Sequence, residues 1–219
     1  MAETRYPGYN VLNKRNTMSW NAKTREVIEA RLARPDEPHF FDAGEWAILR
    51  AICDRLVPQP AQRDGNGERI PVAALVDHKL EQDERDGYRH ATLPPERDAW
   101  RLGLRALDAE ARAAHGTGFA ALDGAQQDAL LRKAESGELH DPAWGGMPPK
   151  LFFKERVQKD VVHAYYAHPT AWSEIGFGGP AGPRGYVRLP ADRRDPWEAV
   201  EAPPGADRTE IRGRNHRVR

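Results

Sequence analysis

The feature that most limits what this chain can fold into is the spacing of its apolar residues, which recur every three or four positions and never alternate over a useful length. Such spacing makes one greasy stripe along a helix, whereas a half-buried strand needs a period of two. Trp46, Leu49, Cys53 and Leu56 form one stripe, and Val72, Leu75, Val76 and Leu80 a second. Trp100, Leu104, Leu107 and Ala111 form a third, Leu130 and Leu131 belong to a fourth, and Phe153, Val157, Val161 and Tyr165 to a fifth. Each has punctuation at its ends. Asp42-Ala-Gly-Glu45 is a capping box and Pro58 and Pro60 stop the helix behind it. Pro71 sits near the first turn of the next, where its missing N–H costs little. Pro94-Pro95-Glu96 opens the longest helix and Gly116-Thr117-Gly118 ends it; Asp123 to Gln126 caps another, closed by Gly137. A Pro/Gly break over 141–149 precedes a helix from about Lys150 to Ala167, and a short helix is expected over Trp20–Ala33, ended before Pro35. The reading is all-α: five to six helices with long arms at both ends.

Composition fits that plan. Hydrophobic residues make up 39% and charged residues 30%, with a mean hydropathy of -0.77, so a core must come from a few well-patterned segments. The expected organisation is an N-terminal arm and short helix over 1–40, a helical core over 41–167, a Gly/Pro-rich interaction loop over 168–188 and a polar tail over 189–219. The arm has no clear period, yet Tyr6, Tyr9, Val11, Leu12 and Trp20 are too apolar for a solvated tail, so it should lie against something. From His168 onward no period is sustained. The terminal arginines Arg208, Arg212, Arg214, Arg217 and Arg219 lack interleaved aromatics and read as a frayed end. Thirty-three basic and 33 acidic residues give zero net charge, hence no field to steer the chain to nucleic acid or anionic lipid. No stretch approaches the ~20 apolar residues of a membrane span, and no export leader is read in the first 35 residues.

Catalytic chemistry is hard to find. Eight histidines include no HExxH pair, and His163 and His168, five apart, diverge around a helix. His163 is expected at a helix surface and His168 as a cap or loop anchor. Ser19, Ser136 and Ser173 sit in no nucleophile elbow, and the single Cys53 lies on an apolar helix side, as a buried structural thiol would. Gly176-x-Gly178-x-x-Ala181 loosely matches a dinucleotide fingerprint, but a helix precedes it and Pro180 and Pro183 block a helix after it. The same run offers something else. Its glycines allow tight turns, its prolines stiffen the path, and Trp172, Ile175, Phe177 and Tyr186 are apolar groups placed along it as interface anchors would be.

The run Tyr165-Tyr166-x-His168-Pro-x-x-Trp172-x-Glu174-Ile175-Gly-Phe177-Gly178-Gly179-Pro180-x-x-Pro183-Arg184-Gly185-Tyr186 resembles the C-terminal signature of the gluconate 2-dehydrogenase subunit 3 family. The likeness extends more loosely back to Phe41, through Glu45-Trp46 and Leu56-Val57-Pro58. It implies a small subunit with no catalytic residue, cofactor or metal of its own, beside a large FAD-containing subunit of the glucose-methanol-choline type acting on a sugar, polyol or sugar acid. It also implies a cytochrome c subunit carrying haem, and a role in maturation and export of the large subunit. The contact residues would be His168, Trp172, Glu174, Ile175, Phe177, Gly178, Gly179, Pro180, Pro183, Arg184 and Tyr186. Many relatives begin with a twin-arginine leader; without one, the chain is expected in the cytoplasm, or in the periplasm or at the membrane only if its partner carries it there. Two other readings stay open: an independent small enzyme using His163, His168 or Glu174, and a scaffold for an unrelated partner.

Overall fold

A computed structural model describes residues 4–60, 69–85, 87, 90–180 and 198–217. Among them are eight helices and no strand. They are α1 (Ala22–Leu32), α2 (Ala43–Leu56), α3 (Val72–Glu81), α4 (Glu96–His115), α5 (Gly124–Ser136), α6, α7 (Pro169–Ile175) and α8 (Arg208–His216). Helix α6 opens as Pro149–Phe152, widens into a π-helical segment at Phe153–Gln158 and runs on as Lys159–Tyr166. The fold class is the one the stripes imply. The two helices beyond the expected six are α7 and α8, in the stretch where no sustained period is visible. The chain divides into two compact units: Pro35–Gln59 with Pro71–Ala164, and Met1–Arg34 with Pro60–Ile70 and Tyr165–Arg219.

The first unit is built from locally signalled helices. Asp42 Oδ1 accepts from Glu45 N at 2.8 Å while Glu45 Oε2 accepts from Asp42 N at 3.3 Å, so the capping box of α2 is complete. Asp123 and Gln126 repeat it on α5 at 2.9 and 3.2 Å. The left-handed glycines Gly116 and Gly137 close α4 and α5, at φ 74° and 87°. Helix α2 packs on α3, α4 and α5. One correction concerns its inner face. The stripe Trp46, Leu49, Cys53, Leu56 is only half right: Ile48, Leu49, Ile52 and Cys53 are buried, while Trp46 and Leu56 sit at its margin.

Trp100 is the centre of this core and is fully enclosed. Phe41 and Phe152 meet its ring edge-on at 6.1 and 5.6 Å. Phe152 fits because residue 103 is glycine; a Cβ there would lie 2.2 Å from the ring. Two buried carboxylates tie the helices together. Asp77 of α3 accepts from the backbone N–H groups of His39, Phe40 and Phe41 at 2.8 to 3.1 Å, fixing the approach to α2. Asp160 of α6 accepts from Trp100 Nε1 and from Lys79 Nζ, both at 2.8 Å, and the same ammonium reaches Glu96 at 2.6 Å. A charge so deep is tolerable because its lone pairs are matched by donors.

The π segment explains why the α6 stripe steps by four. In an α-helix four residues overshoot a full turn by about 40°, so Phe153, Val157 and Val161 would drift off one face. A wider π turn undershoots and brings them back. All three are buried, as is Arg156.

The second unit joins the two ends of the chain. Tyr9, Val11, Trp20, Ile28, Trp172 and Ala199 form its core, with Tyr6, Leu12 and Leu32 packed against it. The arm is a chain of turns with a 3-10 helix at Val11–Lys14, where Asn10 caps Leu12 N. Polar groups stitch it in place. Ala202 N donates to Arg5 O at 2.7 Å, Val11 N to Ser173 Oγ at 3.1 Å and Arg208 Nη2 to Thr4 O at 2.6 Å. Asn215, fully buried on α8, donates to Pro7 O and Val200 O and accepts from Val200 N, at 3.0, 2.9 and 2.7 Å. The stretch read as a frayed terminus thus holds a helix whose Ile211 and Asn215 face inward. Its cap is Asp207, and Arg214 pairs with Glu210 one turn back at 2.7 Å.

Candidate interaction surface

The segment singled out for partner contact begins as a helix. His168 is the N-cap of α7, its Nδ1 accepting from Thr170 N at 3.2 Å, and Pro169 occupies the first turn. That matches the expected anchor role. Helix α7 ends at Gly176, in the left-handed region at φ +69°, where a Cβ would come 2.5 Å from the Tyr6 ring. Gly179, at φ +68°, has Trp172 ring carbons 3.1 Å and Val11 Cγ2 3.4 Å from the place a Cβ would take. These glycines therefore serve close approach within the chain itself. Phe177 N closes the turn onto Trp172 O at 2.9 Å.

Residue by residue, the segment splits in two. Trp172 is 5% exposed, and its Nε1 donates to Tyr166 O. It is a core residue of its own unit. His168, Gly178 and Gly179 are buried too. Glu174 is half-buried and accepts from the Tyr165 hydroxyl. By contrast Ile175 is 46% and Phe177 43% exposed, and Pro180 lies open. Phe177 is braced edge-on against Trp172, with ring centroids 5.8 Å apart, which holds the outer ring without covering it. Pro183, Arg184 and Tyr186 lie outside the described residues.

Tyr166, 47% exposed and edge-on to Tyr165 at 5.1 Å, was missed as a candidate. The signal was the pair itself, since adjacent positions on a helix point about 100° apart. Among the described residues, Met18, at 76%, and Val27, at 43%, are the other large apolar side chains this unit leaves in the open.

The described part of the glycine run, Gly176 to Gly179, follows a helix rather than preceding one. Gly176 caps the C-terminal end of a helix, where carbonyl oxygens concentrate negative charge, and a pyrophosphate needs the opposite end. Among the described residues no group of three or more His, Cys, Asp or Glu is placed to hold a metal ion. None of their helices is long and apolar enough to cross a membrane.

Fold and segment together define an all-α protein whose family signature runs from a capped helix to a ring-bearing turn. The chain belongs to the gluconate 2-dehydrogenase subunit 3 family, whose profile matches residues 43–179, from the first turn of α2 to the glycines after Phe177. No curated protein and no solved structure matches it. Family membership makes the chain one subunit of a dehydrogenase complex.

Proposed function

We propose that this chain is the non-catalytic small subunit of a membrane-associated, FAD-dependent sugar or sugar-acid dehydrogenase, supporting folding, maturation and export of a large subunit of the glucose-methanol-choline type. FAD would belong to that large subunit and haem to a cytochrome c partner; this chain would supply surface. The observation that carries the reading is the family match over residues 43–179, whose far end coincides with the exposed side chains Ile175 and Phe177. Apolar groups held rigid yet uncovered suit interface hot spots, because little side-chain entropy remains to be lost on docking. Tyr166 joins them on the same unit, while Trp172 acts as a positioning residue beneath Phe177.

Co-expression of this chain with the large subunit tests the reading. The large subunit should be soluble and flavin-loaded with the chain and poorly so without it. A double substitution Ile175→Ser and Phe177→Ser should weaken co-purification by roughly 2 kcal/mol or more while the free chain keeps its melting temperature. A large subunit equally soluble, flavin-loaded and active alone would overturn the proposal.

A further inference from the structure

The unit built on α2–α6 contains a cleft of about 570 Å³, within the range of small-molecule sites, that the subunit role does not use. Its wall is Phe40, with a guanidinium on the ring at two places: Arg97 at 4.7 Å and Arg101 at 4.4 Å from the centroid. Arg101 is further fixed by donating to Phe40 O at 2.8 Å and lies 3.9 Å from Glu45. Arg97 makes neither a hydrogen bond nor an ion pair among the described residues, so the stacked ring holds it while its N–H groups stay available. Arg156 also lines the cleft, almost wholly buried, and is presented by the π segment of α6. π turns inside helices recur at functional sites.

Acids line the cleft too, and most are engaged. Asp83 is paired with Arg85, and its carboxyl is held below the usual range by that bond and by the nearby charges of Arg85 and Arg97. Glu96 is bound by Lys79 at 2.6 Å. Asp98 stays exposed in the first turn of α4. Among the described residues the lining carries four arginines, Arg85, Arg97, Arg101 and Arg156, against the three carboxylates of Asp83, Glu96 and Asp98, so its formal charge is positive.

We infer that this cleft binds a small anion through the stacked guanidinium groups of Arg97 and Arg101, with carboxylate or phosphate oxygens as the recognised chemistry. Planar forks stacked on an aromatic face are preorganised for paired oxygens in a way a lysine ammonium is not. The inference is independent of which partner the chain assembles with.

The test is calorimetric titration of the full chain with citrate and, separately, inorganic phosphate, at constant ionic strength balanced with chloride. Saturable one-to-one binding of either supports the proposal, and which of the two binds tighter assigns the oxygen chemistry. Arg97→Gln should lower the affinity by about tenfold or more while costing the fold little beyond one exposed cation–π contact, since Arg97 makes no hydrogen bond or ion pair among the described residues. Arg97→Lys, which keeps the charge and loses the fork, should fall between. Binding unaltered by Arg97→Gln, or neither anion binding, overturns it. So would an acidic peptide binding the cleft where both small anions fail.

Discussion

The two units build their cores by opposite routes. In the unit of α2–α6 the signals are local: caps, left-handed glycines and stripes lie within a dozen or so residues of what they organise. In the unit of the two chain ends, Asn215 holds Pro7, Glu201 pairs with Arg5, and Trp172 packs among Tyr9, Val11 and Trp20. Contacts across so much sequence can form only after a long loop is closed, and no short window advertises them. Both units bury polar groups: the local one Asp77 and Asp160, which brace helices already specified, and the other Lys14, Ser19, His168 and Asn215, which tie the arm and the C-terminal segments in place.

The largest effects should separate the units. Trp172→Ala removes an indole from a packed cluster, a change that costs about 3–5 kcal/mol. Asp160→Ala takes the acceptor from the Trp100 N–H and one of the two carboxylates from the Lys79 ammonium, and breaking a buried charge network costs about as much. Hydrogen exchange distinguishes them. Trp172→Ala should speed exchange in the arm, α7 and α8 and spare α2 and α4, and Asp160→Ala should do the reverse. Equal acceleration everywhere in both variants would break the comparison, since it would mean one cooperative body.

A smaller effect sharpens it. Asn215→Ala deletes one donor group and one acceptor and leaves Pro7 O, Val200 O and Val200 N without that partner. Unmet buried groups cost about 1–3 kcal/mol, so the urea midpoint should fall accordingly. Protease cleavage near Pro7 should appear earlier in the same variant. An unchanged cleavage pattern would show that the arm is held by its aromatic residues, with the amide contributing little.

What could be read in advance follows from the same contrast. The caps at Asp42 and Asp123 and the stops at Gly116 and Gly137 were legible because each is decided by neighbours a few residues away. The rotated face of α2 was not, because Trp46 and Ile48 are equally apolar and only packing against α3 and α4 chooses between them. Four-residue steps from Phe153 to Val161 are visible, but a step of four fits an ordinary helical stripe as well as a wider turn. Helix α7 was hidden by the prolines and glycines around it, although Pro169 sits where helices accept proline. Trp172 and Phe177 stand out in the sequence together. The sequence could not sort Trp172 inward from Phe177 outward, because that choice depends on Tyr9, Val11 and Trp20, about 150 residues away.

The smallest effect concerns a half-exposed long-range ion pair of the local unit. Arg55 on α2 grips Asp128 on α5 through two bonds of 2.7 Å. Hydrogen bonding from Arg55, ahead of the opposing loss of hydration and the added charge attraction, holds the Asp128 carboxyl below its ordinary value. A carboxyl depressed in the folded state adds stability above its unfolded pKa and loses it as pH falls through the depressed one. The gap in urea midpoint between the native chain and Asp128→Asn should therefore be constant at neutral pH and close as the pH falls below the ordinary carboxylate range. The closure matters more than the size of the gap, because the pair is half-exposed and salt-screened. A gap that persisted in acid would assign the loss to packing around Gly124, where Arg55 Nη1 lies 2.8 Å from the place a Cβ would take, and the pair would then act as a spacer between α2 and α5 rather than as a charge.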